Sequence, residues 1–226
     1  GIPNGIMGLY PAGGKVKLHG KDIALNAPAK ALKSGMSFVS EDRRGVGLLL
    51  DESLDWNIAF TAMQIHGQYL RPILGGIFTQ RDDKGMETLC KEYIELLDIK
   101  CTSSKQKAKE LSGGNQQKIC LAKAFAMKPD LLFVSEPTRG IDVGAKKLVL
   151  DTLRKYNREY GTTIVMISSE LEELRSICDR VAIIDEGKIA GILPPTADVA
   201  DFGILMAGIG ASEATPAMAG QEATNA

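Results

Sequence analysis

Ser112-Gly113-Gly114 stands directly ahead of Asn115 to Met127, a run that reads as a helix stopped by Pro129. Two glycines let backbone N–H groups come close to an anion, Ser112 adds a hydroxyl, and a helix N-terminus carries partial positive charge. Residues of these types in this order suit phosphate binding, and a glycine-rich helix start also serves purely structural ends, so the tripeptide alone leaves both open. Further along, Leu131-Leu132-Phe133-Val134 is a short apolar strand ending in Ser135-Glu136-Pro137-Thr138. Such a strand delivers the residues after it to the C-terminal edge of a sheet, where ligands of α/β sheets sit. Arg139-Gly140-Ile141-Asp142 follows, and Asp142 is placed to cap a helix beginning near Val143.

The elements that must hold these residues are legible in outline. Lys15 to Leu18 followed by the turn His19-Gly20-Lys21-Asp22 reads as a strand followed by a hairpin or tight loop. Ala29 to Lys33 is a short helix ended by Gly35, and Met36 to Val39 is a buried strand. Residues from about Ser53 to Lys109 read mainly as helix, with Trp56, Ala59, Phe60 and Met63 on one face. Leu89, Tyr93, Leu96 and Leu97 share another face after a break at Pro72 to Gly76, so this stretch is expected to be a helical sub-lobe. From Leu111 strands and helices alternate: Ala145 to Tyr160 is a helix with Val149, Leu153 and Tyr156 inward, and Thr163 to Ile167 is a strand. Leu171 to Cys178 is helical, and Val181 to Ile184 with Lys188 to Ile192 form a hairpin around Asp185-Glu186-Gly187. The alternation favours a largely parallel sheet. Residues 1–195 are read as one domain with the sub-lobe at about 53–110, and 196–226, rich in small residues at its end, as a flexible tail.

Leu111 to Lys118 resembles the signature loop of ATP-binding-cassette (ABC) ATPases, and its Asn-Gln-Gln-Lys ending is most similar to the second cassette of monosaccharide importers of the ribose, galactose and xylose type. The resemblance implies an α/β, P-loop-NTPase-like nucleotide-binding domain with an inserted helical subdomain. It implies that Ser112, Gly113, Gly114, Asn115 and Gln116 contact ATP held by an opposing cassette. Leu131 to Thr138 resembles the Walker B motif, whose first acid holds Mg²⁺ and whose second polarises the attacking water. Ser135 takes the first position without a charge, and Glu136 keeps the base position. Arg139 to Asp142 resembles the D-loop that couples two sites. Ser169 occupies the switch position, where active cassettes place His, which weakens phosphate sensing. Glu41 takes the Gln position of the Q-loop, which reaches Mg²⁺ and links core to sub-lobe. The implied partners are a second ABC cassette, membrane permease subunits and, indirectly, a solute-binding protein. The implied location is the cytoplasmic, inner face of the plasma membrane.

A cassette with this loop is expected to carry GxxxxGK followed by Ser or Thr. No such motif occurs; Ala12-Gly13-Gly14-Lys15 is followed by Val16 and a strand. The expectation is a fragment, or a chain with a short deletion, with Gly1 to Gly5 as a remnant of the loop and negligible ATPase activity of its own. Two alternatives stay open: a non-enzymatic scaffold cassette and a soluble ABC protein outside transport. Composition narrows the field. The 226 residues carry net charge −1, with no case for nucleic acid. No apolar run approaches the roughly 20 residues needed to span a bilayer, and no secretion signal is visible. Cys90, Cys101, Cys120 and Cys178 lack metal spacing and are expected as reduced thiols. His19 and His66 are expected at the surface.

Overall fold

In the computed structural model of the chain, residues 1–208 are described. They fall into two compact units, the first Gly1–Ser169 and the second beginning at Glu170, so the boundary lies inside the span read from the sequence as one domain.

The first unit opens with α1 (Ile2–Ile6). The stretch that the sequence allows as a phosphate-loop remnant is thus a helical turn, with Pro3 at its start and buried. Gly8 follows at φ +76, where an added Cβ would stand 2.8 Å from the Ala27 nitrogen, so only glycine fits. Strands β1 (Lys17–Leu18) and β2 (Lys21–Asp22) form the expected small hairpin. Helix α2 (Pro28–Lys33) leads to β3 (Met36–Val39). Met7, Ala31, Met36 and Phe133 make one apolar cluster beneath them.

Helix α3 (Leu54–His66) begins the sub-lobe. Its buried stripe runs through Leu54, Ile58, Ala59 and Ala62, while Trp56 and Phe60 of the expected face are only half-buried. Between the helices the expected break is a β-hairpin, β4 (Leu70–Ile73) and β5 (Phe78–Arg81), closed by a turn with Gly75 at φ 68. Helical periodicity does not survive Pro72 and the Gly-Gly pair, and the Ile73–Phe78 cross-strand pair favours a strand instead. Helix α4 (Asp83–Leu96) returns along α3, capped by Asp82.

Helix α5 (Gly113–Ala126) is the centre of this unit. Strand β6 (Leu131–Ser135), helix α6 (Val143–Tyr160) and strand β7 (Thr163–Ile167) complete it. The sheet is parallel, in order β3-β6-β7, with Phe38, Phe133 and Val165 in register. Its central strand β6 buries Leu132, Phe133 and Val134, as a parallel strand covered on both faces does. On α6, Val149, Leu153 and Tyr156 face inward as their spacing predicts. Tyr156 stacks on Phe125 of α5, ring centroids 3.9 Å apart, and its hydroxyl donates to the Phe125 carbonyl at 3.0 Å.

In the second unit α7 (Leu171–Ile177) precedes the antiparallel hairpin of β8 (Val181–Asp185) and β9 (Lys188–Leu193). Val181, Ile183 and Ala190 pack with Phe202 of α8 (Val199–Met206). The segment assigned to a flexible tail therefore starts with an ordered helix, because Phe202 supplies an apolar anchor. The expected frayed residues 209–226 lie outside the described residues.

All four cysteines are free, and burial pushes the Cys90 and Cys120 thiols up to about 12. One polar group sits badly: Gln117 is 1% exposed and its Nε2 has no hydrogen-bond partner among the described residues. An unmet buried donor costs about 1–3 kcal/mol. Gln117→Met keeps the volume and removes the donor, so urea unfolding is expected to show a gain of about 1 kcal/mol.

Candidate functional site

The glycine loop is held by its own cap. Ser112 is extended at φ −61, ψ 158, and its Oγ accepts from the Asn115 N–H at 3.4 Å and from Asn115 Nδ2 at 3.0 Å. The Asn115 side-chain oxygen accepts the Lys100 N–H at 2.9 Å. Its amide is thus engaged within the chain on both atoms. Gln116 is turned inward: it is 2% exposed, and its Nε2 donates to the Ala108 carbonyl at 3.2 Å. This residue, read from the resemblance as a nucleotide contact, supports the loop from behind.

Gly113 and Gly114 are different. Neither sits at positive φ, and a Cβ built on either would meet no atom closer than 3.5 Å. The fold has room for side chains there. No acceptor among the described residues takes the N–H of Gly113 or Gly114. Ser112, Gly114, Asn115 and Asp142 line one open cleft of about 260 Å³, joined by Lys100 and Lys118. Asp142 caps α6, its Oδ1 accepting the Ala145 N–H at 3.0 Å, so two helix N-termini open on the same space. Two dipole ends favour an anion there, while the two lysines stand against two carboxylates, since Asp98 also lines the cleft and pairs with Lys100 Nζ at 2.6 Å. Burial holds the Lys118 ammonium below the ordinary lysine range, and its Nζ donates to the Asp98 carbonyl at 2.7 Å.

The acidic end lies at the edge of β6. Glu136 adopts φ +47, uncommon for a side chain of this size, and its N–H donates to the Ile167 carbonyl at 2.8 Å. Its carboxylate accepts twice from Ser169: from the N–H at 2.8 Å and from Oγ at 3.3 Å. The structure thus brings the base position and the switch position together. Ser135, one residue earlier, pairs in register with Ile167. Glu41 is not part of this group; it faces Arg139 Nη1 at 3.4 Å.

These residues do not fit a Mg²⁺ site. Ser135 offers no charge, Glu41 is paired, and Glu136 is held by Ser169. No group of three or more His, Cys, Asp or Glu among the described residues is arranged to hold a metal. Arg43, which lies in the segment that resembles the Q-loop but carries no implied role there, sits at the glycine loop, where its Nη1 donates to the Gly113 carbonyl at 2.8 Å. Only its place in a charged loop singles it out in the sequence.

The family model described as ABC transporter matches residues 3–139, and the chain belongs to that family. It is 42% identical over 182 residues to the ribose import ATP-binding protein RbsA of Lactococcus lactis subsp. cremoris, covering 80% of this chain and 35% of that protein. It is 38% identical over 194 residues to the D-allose import ATP-binding protein AlsA of Escherichia coli, covering 86% of this chain and 37% of that protein. The chain thus spans about a third of the length of the curated relatives it matches. Among solved structures, the dimeric post-hydrolysis state of the ATP-binding cassette MJ0796 bound to ADP and Pi matches with TM-score 0.69 at 18% identity, over 87% of this chain and 80% of that one. That likeness establishes the ABC cassette fold. No helix among the described residues is long and apolar enough to cross a membrane.

Because nothing within the chain requires glycine at 113 or 114, alanine there is expected to help the fold. Gly113→Ala and Gly114→Ala should each raise stability by about 0.5–1 kcal/mol, the usual gain for removing a helical glycine. Urea denaturation of the two variants checks this, and a loss of stability in both would show that the loop's glycines serve the fold after all.

Proposed function

We propose that this chain is a cassette of a sugar importer that supplies the signature half of a composite ATP site, and that its own site is degenerate. The observation that carries the reading is the pair Gly113-Gly114. Their N–H groups have no acceptor among the described residues, at the mouth of a cleft shared by two capped helices, where the chain has space for side chains it does not carry. Leaving glycine there serves a close approach by something outside the chain. In this role Gly113 and Gly114 donate to a phosphate oxygen of ATP held by another cassette, Ser112 Oγ adds a polar contact, and the α5 dipole favours the negative charge.

The weakness of the chain's own site rests on Ser135, Ser169 and the engaged carboxylate of Glu136. A base that already accepts two hydrogen bonds is poorly placed to orient water. The relatives named for ribose and D-allose import support a sugar as the cargo of the assembly. The dimeric cassette neighbour supports pairing with a second cassette. Permease subunits would hold the pair at the cytoplasmic face of the membrane, with a solute-binding protein acting on the far side.

Calorimetry with ATP and Mg²⁺ tests this. The chain alone is expected to give no binding heat. A partner cassette with a complete phosphate loop is expected to bind ATP about tenfold or more tightly once the chain is added, a coupling of about 1.4 kcal/mol. Gly114→Val should abolish that gain. Micromolar ATP binding by the chain alone, or phosphate release lost on Glu136→Gln, would overturn the reading.

A further inference from the structure

Three segments far apart in sequence meet at one guanidinium. Arg43 opens the tight π-type turn Arg43–Gly47, which Asp42 caps by accepting the Gly45 N–H at 2.8 Å. From there Arg43 Nη1 donates to the Gly113 carbonyl at 2.8 Å, a link across 70 residues. The same guanidinium lies 3.5 Å from the point where a Cβ would stand on Gly113, and its Nη2 lies 3.5 Å from the corresponding point on Gly140. Gly140 itself is at φ +69 and its carbonyl lies 3.9 Å from the Gly113 Cβ point. The turn is fastened at its other end as well, where Lys123 Nζ of α5 donates to the Gly47 carbonyl at 3.0 Å.

We propose that Arg43 is the positioning residue of the signature loop: it fixes the Gly113–Gly114 peptide in the orientation that presents the Gly114 N–H to a phosphate of the opposing cassette's nucleotide. The inference rests on the half-site reading of Ser112–Gly114. The physics is that of one peptide plane. In a trans peptide the carbonyl of Gly113 and the N–H of Gly114 point in opposite directions. A guanidinium holding the carbonyl therefore aims the N–H away from itself, and Gly114 lines the open cleft. Gly113 opens α5, so the helix sets the general direction of this peptide, and at the helix end, where glycine lowers the stiffness of the backbone, the Arg43 bond holds the carbonyl from outside. The Arg43 guanidinium also brings a positive charge beside the loop.

The tether reaches the sub-lobe. Asn57 on α3 accepts the Leu49 N–H at 2.8 Å and donates to the Leu49 carbonyl at 2.9 Å, just after the Arg43–Gly47 turn. The loop's orientation is thereby tied through Arg43 to the start of the helical sub-lobe rather than to α5 alone.

The test uses the full chain labelled with carbonyl-¹³C and ¹⁵N glycine, in which Gly113–Gly114 is one of three Gly-Gly peptides. In Arg43→Met the Gly113 carbonyl resonance is expected to shift while the peptides at Gly13–Gly14 and Gly75–Gly76 stay in place. The tightening of ATP on a partner cassette is expected to fall about tenfold, with Arg43→Lys, which keeps charge but loses the planar fork, in between. Thermal unfolding checks that each variant is folded, and Arg43→Lys carries the test should Arg43→Met fail to fold. An unmoved Gly113 resonance, or a moved one with ATP tightening within twofold of the parent, overturns the proposal. If the parent chain itself gives no tightening while remaining folded, the half-site reading has failed, and the Gly113 resonance alone then supports or overturns the hold of Arg43 on the loop.

Discussion

Helix α5 is buried around most of its circumference, and the site depends on that constraint. Ten of its 14 residues are buried. Ile119, Leu121, Ala122 and Phe125 are fully buried, and Phe125 is stacked on the Tyr156 ring. The polar residues on the same helix are not exposed in compensation. Gln116, Lys118 and Lys123 reach carbonyls of Ala108, Asp98 and Gly47 in the segments around it. Buried polar side chains of this kind must find partners, so the helix organises the loops beside it as much as it packs against them. Apolar contacts and these bonds together hold α5 along its length, with Gln116 and Lys118 bonded near its start and Lys123 near its end. What remains free is the first turn, where Gly113 and Gly114 lie.

The charge balance of the site follows from which groups are already satisfied. The acids that the family resemblance assigns to chemistry are engaged inside the chain: Glu136 with Ser169, Glu41 with Arg139, and Asp142 with the Ala145 N–H. The donors at the glycine loop are not. An arrangement with occupied acceptors and open donors recruits an anion and leaves a cation poorly served. Glu136 adds a local cost, since a glutamate at φ +47 sits in a region that residues with a Cβ occupy rarely. That backbone turn is what swings its carboxylate onto Ser169, so the strain and the engagement of the base are one feature.

Much of this was legible in the residues. The loop, the apolar strand ahead of Glu136, the Asp142 cap and the inward stripe of α6 follow from local rules of spacing and capping, which need no knowledge of distant contacts. The sub-lobe was harder. Its hairpin β4–β5 lies where a helical period runs into Pro72 and two glycines, and local periodicity cannot say that the two flanks pair. On α3 the strongest apolar residues, Trp56 and Phe60, are half-exposed while Asp55 and Asn57 are buried. Asp55 is accepted inside because Lys105, Ser53 and the Trp56 N–H all donate to it, and Lys105 comes from 50 residues away. The same holds for Arg43 and Gln116, whose partners, the Gly113 and Ala108 carbonyls, are set by tertiary contact and not by any pattern along the chain.

The strength of the open donors also explains why such a loop makes sense only as half of a site. A hydrogen bond to a charged group contributes about 1.5–3 kcal/mol, and a helix terminus adds about 0.3–1 kcal/mol. Two N–H groups and the α5 dipole thus supply about 3–7 kcal/mol before any cost of immobilising the ligand, which is itself about 4 kcal/mol or more. The difference leaves no useful affinity for free nucleotide. Once another protein has already immobilised the nucleotide and met that cost, the same donors act undiminished, and 3 kcal/mol is a factor of about 150 in the binding constant. A rigid loop on a buried helix loses little further freedom when it docks, so most of that energy is available to hold the two proteins together around the phosphate.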